Sequence, residues 1–479
     1  MGDSRWNRQE RKHSVGGRGA RRVALLLVVC TGLHPGVLPA LAQEGDPDPT
    51  FSSDGRAYVT WGAEARSTAV EAFGNGKLLV AGALGAGPNV FDEWAVMLLG
   101  PTGLPDLLWS GSFVPFDFAA DGSDAVGPIL DLRRDASERT LLAGSVLVSG
   151  QDSDIVPALA RLTASGELDP TFSGNGLQVI PVPAGWYLNS IAAAEILPDG
   201  RAYFVGTCQS CSPGGGVSAF ALRTSANGNP DPSFSFDGWT TFSLVVADLT
   251  FGRALRTDTA GKLTVACAGF NNGADWSSVL VRFDSVGQLD VAFGGGDGVG
   301  NLLGPLEGLP TDLEIDRGSG QIYLSIGSSF DIANGGIAGF TGNGSVRSDF
   351  GVNGLVDLDL EEGATVSAIE IQDDGKVVAA GTINATGTQP AGFFVARLLP
   401  SGALDSSYDG NGVNRIELDR TAEAVDRSYA ATLSAGRLVA VGSAAHISLE
   451  DAFAVVRVES ALIFADGFNQ GNAARWPGN

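Results

Sequence analysis

The chain has 479 residues, enough for several small domains or one large repetitive one, with 67 Gly, 18% charged residues and a formal net charge of −24. A surface that acidic repels nucleic acid and anionic lipid. Long Ala/Leu/Glu/Lys-rich helical stretches are missing and short apolar runs end at Gly, Asp or Asn, so the composition excludes a helical bundle and points to an all-β protein.

Residues 1–42 read as a signal peptide. A basic region with Arg5, Arg8, Arg11, Lys12, Arg18, Arg21 and Arg22 leads into "VALLLVVC" (Val23 to Cys30), and the small-residue site "ALA" (Ala40 to Ala42) stands before Gln43. The apolar core is too short for a permanent span. Arg21-Arg22 raises twin-arginine export, but the rest of that motif is absent, and Cys30 follows two valines, unlike a lipid-attachment site. The expected destination is secreted or cell-surface, with the periplasm as an alternative. No later stretch is apolar enough for a membrane span.

Residues 43–460 are built from one repeated turn. It appears as "DPTFSSDG" (Asp48–Gly55), "DPTFSGNG" (Asp169–Gly176) and "DPSFSFDG" (Asp231–Gly238). Looser copies are "DVAFGGGDG" (Asp290–Gly298), "RSDFGVNG" (Arg347–Gly354) and "DSSYDGNG" (Asp405–Gly412), and the degenerate "GLPDLLW" (Gly103–Trp109) fills the remaining gap. The aromatics Phe51, Trp109, Phe172, Phe234, Phe293, Phe350 and Tyr408 thus recur about every 59 residues, in seven copies.

A short apolar strand keeps step with the turn. It is "GKLLVAG" (Gly76–Gly82) in the first unit and "GRLVAVG" (Gly436–Gly442) in the last, entered through tight "PDG"-like turns. A further strand, such as "ALARL" (Ala158–Leu162), precedes the next copy. Here Arg161 and Asp169, Arg223 and Asp231, Arg282 and Asp290, and Arg397 and Asp405 share one spacing. A hairpin with Leu162 opposite Leu168 sets Arg161 opposite Asp169, a pair worth roughly 0.2–1 kcal/mol. In the fifth unit both partners change together, to Gly339 and Arg347, while the first keeps Asp106 against Leu98.

About four strands per unit and seven units predict a seven-bladed β-propeller of four-stranded repeats, with the aromatics sealing its seams. An open β solenoid is the alternative. Residues 461–479 are either a C-terminal tail or, through "ALIFADGF" (Ala461–Phe468), the closing strand.

"GELDPTFSGNG", "DDGKVVAAG" and "FFVARLLPSGALD" resemble the delta-60 repeat of exported bacterial proteins, over residues 45 to about 460. That resemblance implies a propeller-like array and carries no common activity or catalytic residue. Separately, "IFADGFNQGNAARW" (Ile463–Trp476) is similar to a short ending of many secreted bacterial proteins.

Chemistry is sparsely signalled. His446 is the only histidine beyond residue 42, which disfavours Ser-His-Asp and Cys-His catalysis. "GGGDGVG" (Gly294–Gly300) lacks the Lys-Ser/Thr of a phosphate loop. Calcium is the best-motivated ion, with Asp297, Asp409 and Asn411 as weak candidates, although no twelve-residue calcium loop is present. No other cofactor is indicated. "CQSC" lacks a second pair for zinc, so Cys208 and Cys211 are expected to form a local disulfide, and Cys267 to be a small buried side chain.

The resulting expectation is an exported, non-catalytic binding scaffold for a protein, glycan or cell-envelope component. The alternative is a polysaccharide hydrolase or lyase using paired acids in the central funnel.

Overall fold

The computed structural model describes residues 44–459, except 60–63, 86–90, 110–112, 117, 119–124, 149–154, 212–214, 245–246, 271–275, 301–307, 329–334, 359, 361–363, 385–390, 419–425 and 446–450. Seven antiparallel sheets follow one another along the chain. Their innermost strands are Glu64–Ala72, Ala125–Arg134, Tyr187–Ile196, Leu249–Thr257, Gly308–Ile315, Ala364–Ile371 and Arg427–Ser434, which number blades one to seven. Each packs beside the next, and the seventh packs beside the first, so the array is a closed ring. It is a seven-bladed β-propeller. The open solenoid is thereby excluded, because a linear stack would leave Glu64–Ala72 without that neighbour.

Six blades have four strands; blade four has three described strands, with a single Val281–Val299 bridge in the fourth position. The fourth strand of blade seven is Arg56–Val59, paired antiparallel with Asp451–Arg457. The ring therefore closes with a strand from the beginning of the chain. Ala461–Phe468 lies outside the described residues.

The repeated turn explains the seams. Leu162 bridges Leu168, and Arg161 Nε donates to Asp169 at 2.8 Å. The same bond joins Arg223 to Asp231, Arg282 to Asp290 and Arg397 to Asp405. Each of these guanidiniums also lies over its own unit's aromatic ring, at 4.3 Å in the case of Arg282 and Phe293. In the first unit, where Leu98 offers no charge, Lys77 reaches Asp106 at 2.7 Å instead. In the fifth, Arg347 supplies the guanidinium from the opposite side of the hairpin and lies over Phe350.

The aromatics are buried in all seven units. Each full burial of such a ring contributes about 1.5–3 kcal/mol. Phe172 packs beneath the hairpin of the following blade, where a Cβ on Gly228 would stand 2.8 Å from its ring. The N–H after the aromatic then donates to that hairpin: Ser235 to Val286 O, Gly294 to Asn343 O, Gly351 to Ser401 O. At the seam between blades six and seven the acceptor is Glu44 O, donated to by Asp409 N–H. The start of the chain thus stands in for a hairpin as well as for a strand.

The glycine ending the second landmark has another cause. A Cβ on Gly82, Gly144, Gly206, Gly381 or Gly442 would collide with a backbone carbonyl of the innermost strand: Arg66, Pro128, Ser190, Thr365 and Arg427 respectively. Those carbonyls intrude because every innermost strand bulges near its middle. A bulge leaves a residue unpaired and re-aims it. The residues so displaced include Thr68, Leu130, Ala192, Arg253, Thr311, Ser367 and Tyr429, while blades two and three carry a second shift, between Val126 and Ile129 and between Leu188 and Ser190.

Candidate functional site

Five of these displaced residues, Ala192, Arg253, Thr311, Ser367 and Tyr429, line one cavity of 330 Å³ at the centre of the ring. Ser190, Ile191, Pro310 and Thr365 complete its wall, so blades three to seven all contribute. The volume is at the small end of ligand sites, which run roughly 300–1,000 Å³. Ser190, Thr311, Thr365, Ser367 and Tyr429 bring hydroxyls to a wall that also has apolar faces, from Ile191, Ala192 and Pro310.

Arg253 is the only ionisable cation in that wall. Its Nε donates to Pro310 O at 3.4 Å, and its two terminal nitrogens have no partner among the described residues. Burial alone pulls its pKa below the ordinary arginine value. Thr311 shares a hydrogen bond with Ser325, and Ser367 donates to Ser428 O at 2.7 Å.

Three residues further along each innermost strand, roughly 10 Å at strand rise, the character changes. The corresponding positions hold Glu71, Arg133, Glu195, Arg256, Glu314, Glu370 and Thr432, joined by Asp131 and Asp312. Most of these acids stitch one blade to the next. Glu71 accepts from Arg134 N–H, Asp131 from Ile196 N–H and Asp312 from Ile369 N–H, at 2.7, 2.6 and 2.9 Å. Glu195 accepts from both the N–H and the hydroxyl of Thr257. Arg256 donates to Glu314 at 2.6 Å and lies 3.4 Å from Asp312. Glu370 makes no hydrogen bond among the described residues.

Burial pushes Asp131 up to about 6 and Glu314 up to about 7, against the attraction of Arg256. Burial and the neighbouring Glu314 push Glu370 well above the usual range. Folded carboxyls with raised pKa hold protons that the unfolded chain releases. Their contribution to stability is fully present below pH 4 and is lost as pH rises to about 6 for Asp131 and 7 for Glu314. The turn carboxylates act oppositely: burial is outweighed by the Ser407 and Arg397 bonds that hold Asp405 at about 2. The protein is accordingly expected to be more stable at pH 5 than at pH 8, by on the order of 3 kcal/mol. Denaturant unfolding at both pH values checks this, and Glu314→Gln should reduce the difference; equal midpoints would contradict it.

The sequence reading missed this acidic tier. The available signal was a charged residue at matching places in six successive units. The bulge hides it, because a displaced residue breaks the simple alternation of faces.

The residues singled out from sequence lie elsewhere. Asp297 and Asn411 accept from the N–H two residues on, at Val299 and Val413, as turn residues do. Asp409 has a positive φ of 46° at the blade six to seven seam. No group of three or more metal-ligating side chains occurs among the described residues. Cys208 and Cys211 are joined as a disulfide at the C-terminal end of the blade-three strand Ala202–Gln209, and Cys267 is fully buried. Closing so short a loop stabilises by about 2 kcal/mol in the chain-entropy picture. Cys208→Ser with Cys211→Ser is therefore expected to lower Tm modestly and leave the ring intact, as read by circular dichroism. His446 lies outside the described residues. No helix of the described chain is long and apolar enough to cross a membrane.

Residues 144–172 and 372–408 match a family described as a domain of unknown function (DUF5122) β-propeller. The chain carries an uncharacterised β-propeller repeat. Both matched segments take in residues of a blade's second strand, its third strand and its repeated turn, covering the Arg161–Asp169 and Arg397–Asp405 pairs. No curated protein matches the chain. Among solved structures, it is similar to a protein of unknown function from Dyadobacter fermentans, at 10% identity and TM-score 0.43, covering 84% of this chain and 98% of that one. Sqt1 from Chaetomium thermophilum gives 11% identity and TM-score 0.45, covering 84% and 97%. The β-propeller domain of the Trilobed protease from Pyrococcus furiosus gives 9% and 0.42, covering 83% and 98%. Likenesses this distant carry no functional argument.

Proposed function

We propose that this protein is an exported, non-catalytic binding scaffold at or outside the cell surface, taking a glycan or cell-envelope component into its central cavity. The observation that carries the reading is the division of labour in the channel. The cavity wall offers hydroxyls and one cation, while five of the six acids in the adjoining tier are committed to backbone amides or to Arg256. The basic leader and the resemblance to repeats of exported proteins support the location. Passing cell-envelope fractions and a glycan array over the immobilised protein should retain at least one component. Retention of nothing overturns the proposal.

One observation favours hydrolysis or elimination on polysaccharides as a second reading. Glu370 has no hydrogen-bond partner among the described residues, and burial with the neighbouring Glu314 raises its pKa, the direction a general acid needs. Such chemistry needs a second carboxylate free to act. Turnover of any polysaccharide, lost in Glu370→Gln, would establish it over the scaffold reading.

A further inference from the structure

We infer that the cavity between blades three and seven is a binding site for a monoanionic, polyhydroxylated small molecule, a sugar acid, whose carboxylate pairs with Arg253. The inference rests on the binding reading above and names the ligand class for that same cavity.

Four features of the wall carry it. First, Arg253 is placed by the fold, at the blade-four bulge, where the fixed register shift between Gly252 and Ala254 aims it away from the sheet. Second, it has no acid to answer it. In the tier below, Arg256 is met by Glu314 and Asp312, whereas Arg253 has a single long bond to a carbonyl. A desolvated guanidinium without an anion is costly to maintain. Both terminal nitrogens are left to present the planar fork that matches a carboxylate bidentately.

Third, the charge count of the wall is one. A carboxylate balances it, whereas a doubly charged oxyanion would bring surplus negative charge into a protein of net charge −24. Fourth, the rest of the wall suits a sugar. Hydroxyl-bearing Ser190, Thr311, Thr365, Ser367 and Tyr429 line the cavity from four other blades, and Ile191 and Pro310 supply apolar faces for C–H groups. Hydroxyl pairs of this kind give orientation and specificity more than raw affinity.

The test is calorimetric titration of the purified protein with D-glucuronate, D-glucose and inorganic sulfate, repeated on Arg253→Gln and Arg253→Lys. Glucuronate should bind the unaltered protein, glucose should give no heat, and sulfate should bind at least tenfold more weakly. Arg253→Gln should weaken glucuronate at least tenfold, with Arg253→Lys intermediate, and neither variant should lower Tm appreciably, since Arg253 holds only one weak internal bond. Equal binding by Arg253→Gln, or sulfate binding as tightly as glucuronate, overturns the inference. Retention of only neutral components on the glycan array would also overturn it while leaving the scaffold reading standing. Retention of nothing removes both.

Discussion

Arg457→Met should lower the stability of the ring by about 3–5 kcal/mol, more than loss of the matching arginine from the Arg–Asp turn pair of an internal blade. Asp48 is wholly buried, and Arg457 Nε donates to it at 2.6 Å across 409 residues of sequence. The same guanidinium reaches Thr50 and Pro101 O, and lies over Phe51. Removing it strands a buried carboxylate, with only Arg437, 3.6 Å away, as remaining counter-charge. Arg161→Met removes the equivalent bond in blade two, where the pair sits within contiguous chain and the ring stays joined. Denaturant midpoints of the two variants decide the matter. A cost below about 1 kcal/mol for Arg457→Met, or an equal cost at the two sites, would show that closure rests on something else.

Arg256→Met should be similarly costly, and its cost should depend on pH. Arg256 is the positive centre of the acidic tier, touching Glu314 and Asp312 and attracting Glu195 and Asp131. Without it, ionised carboxylates from blades two to six face one another in a buried space. At pH 8 the expected loss is about 3–5 kcal/mol. At pH 5 the loss should be roughly halved, because the acids whose pKa burial raises are then protonated and have less charge to leave uncompensated. A loss independent of pH would mean that Arg256 acts by packing rather than by charge.

The seams were legible in the sequence because they repeat. Arg161 and Asp169 kept one spacing in four units, and loss of both partners at Gly339 and Arg347 suggested a physical pair. The recurrent aromatic needed only burial to be understood. Other features follow from events that no local pattern encodes. The glycine of "GKLLVAG" looked like a strand end, yet it makes room for a bulged carbonyl on the neighbouring strand. That bulge decides which residue of each innermost strand faces the channel, so Arg253 looked like any other arginine. The closing strand "RAYV" is too short and too ordinary to announce a partner at the far end of the chain.

Because the last sheet borrows its edge from Arg56–Val59, blades one to six can each assemble from neighbouring stretches of chain, while the seventh must join that strand to the distant Asp451–Arg457. Pairings this distant in sequence form slowly. Until then the innermost strands have no complete circle to press against, and the cavity has no finished wall. A polypeptide of this design acquires its pocket only when its two extremities meet, so the clasp between them sets when it can first hold anything.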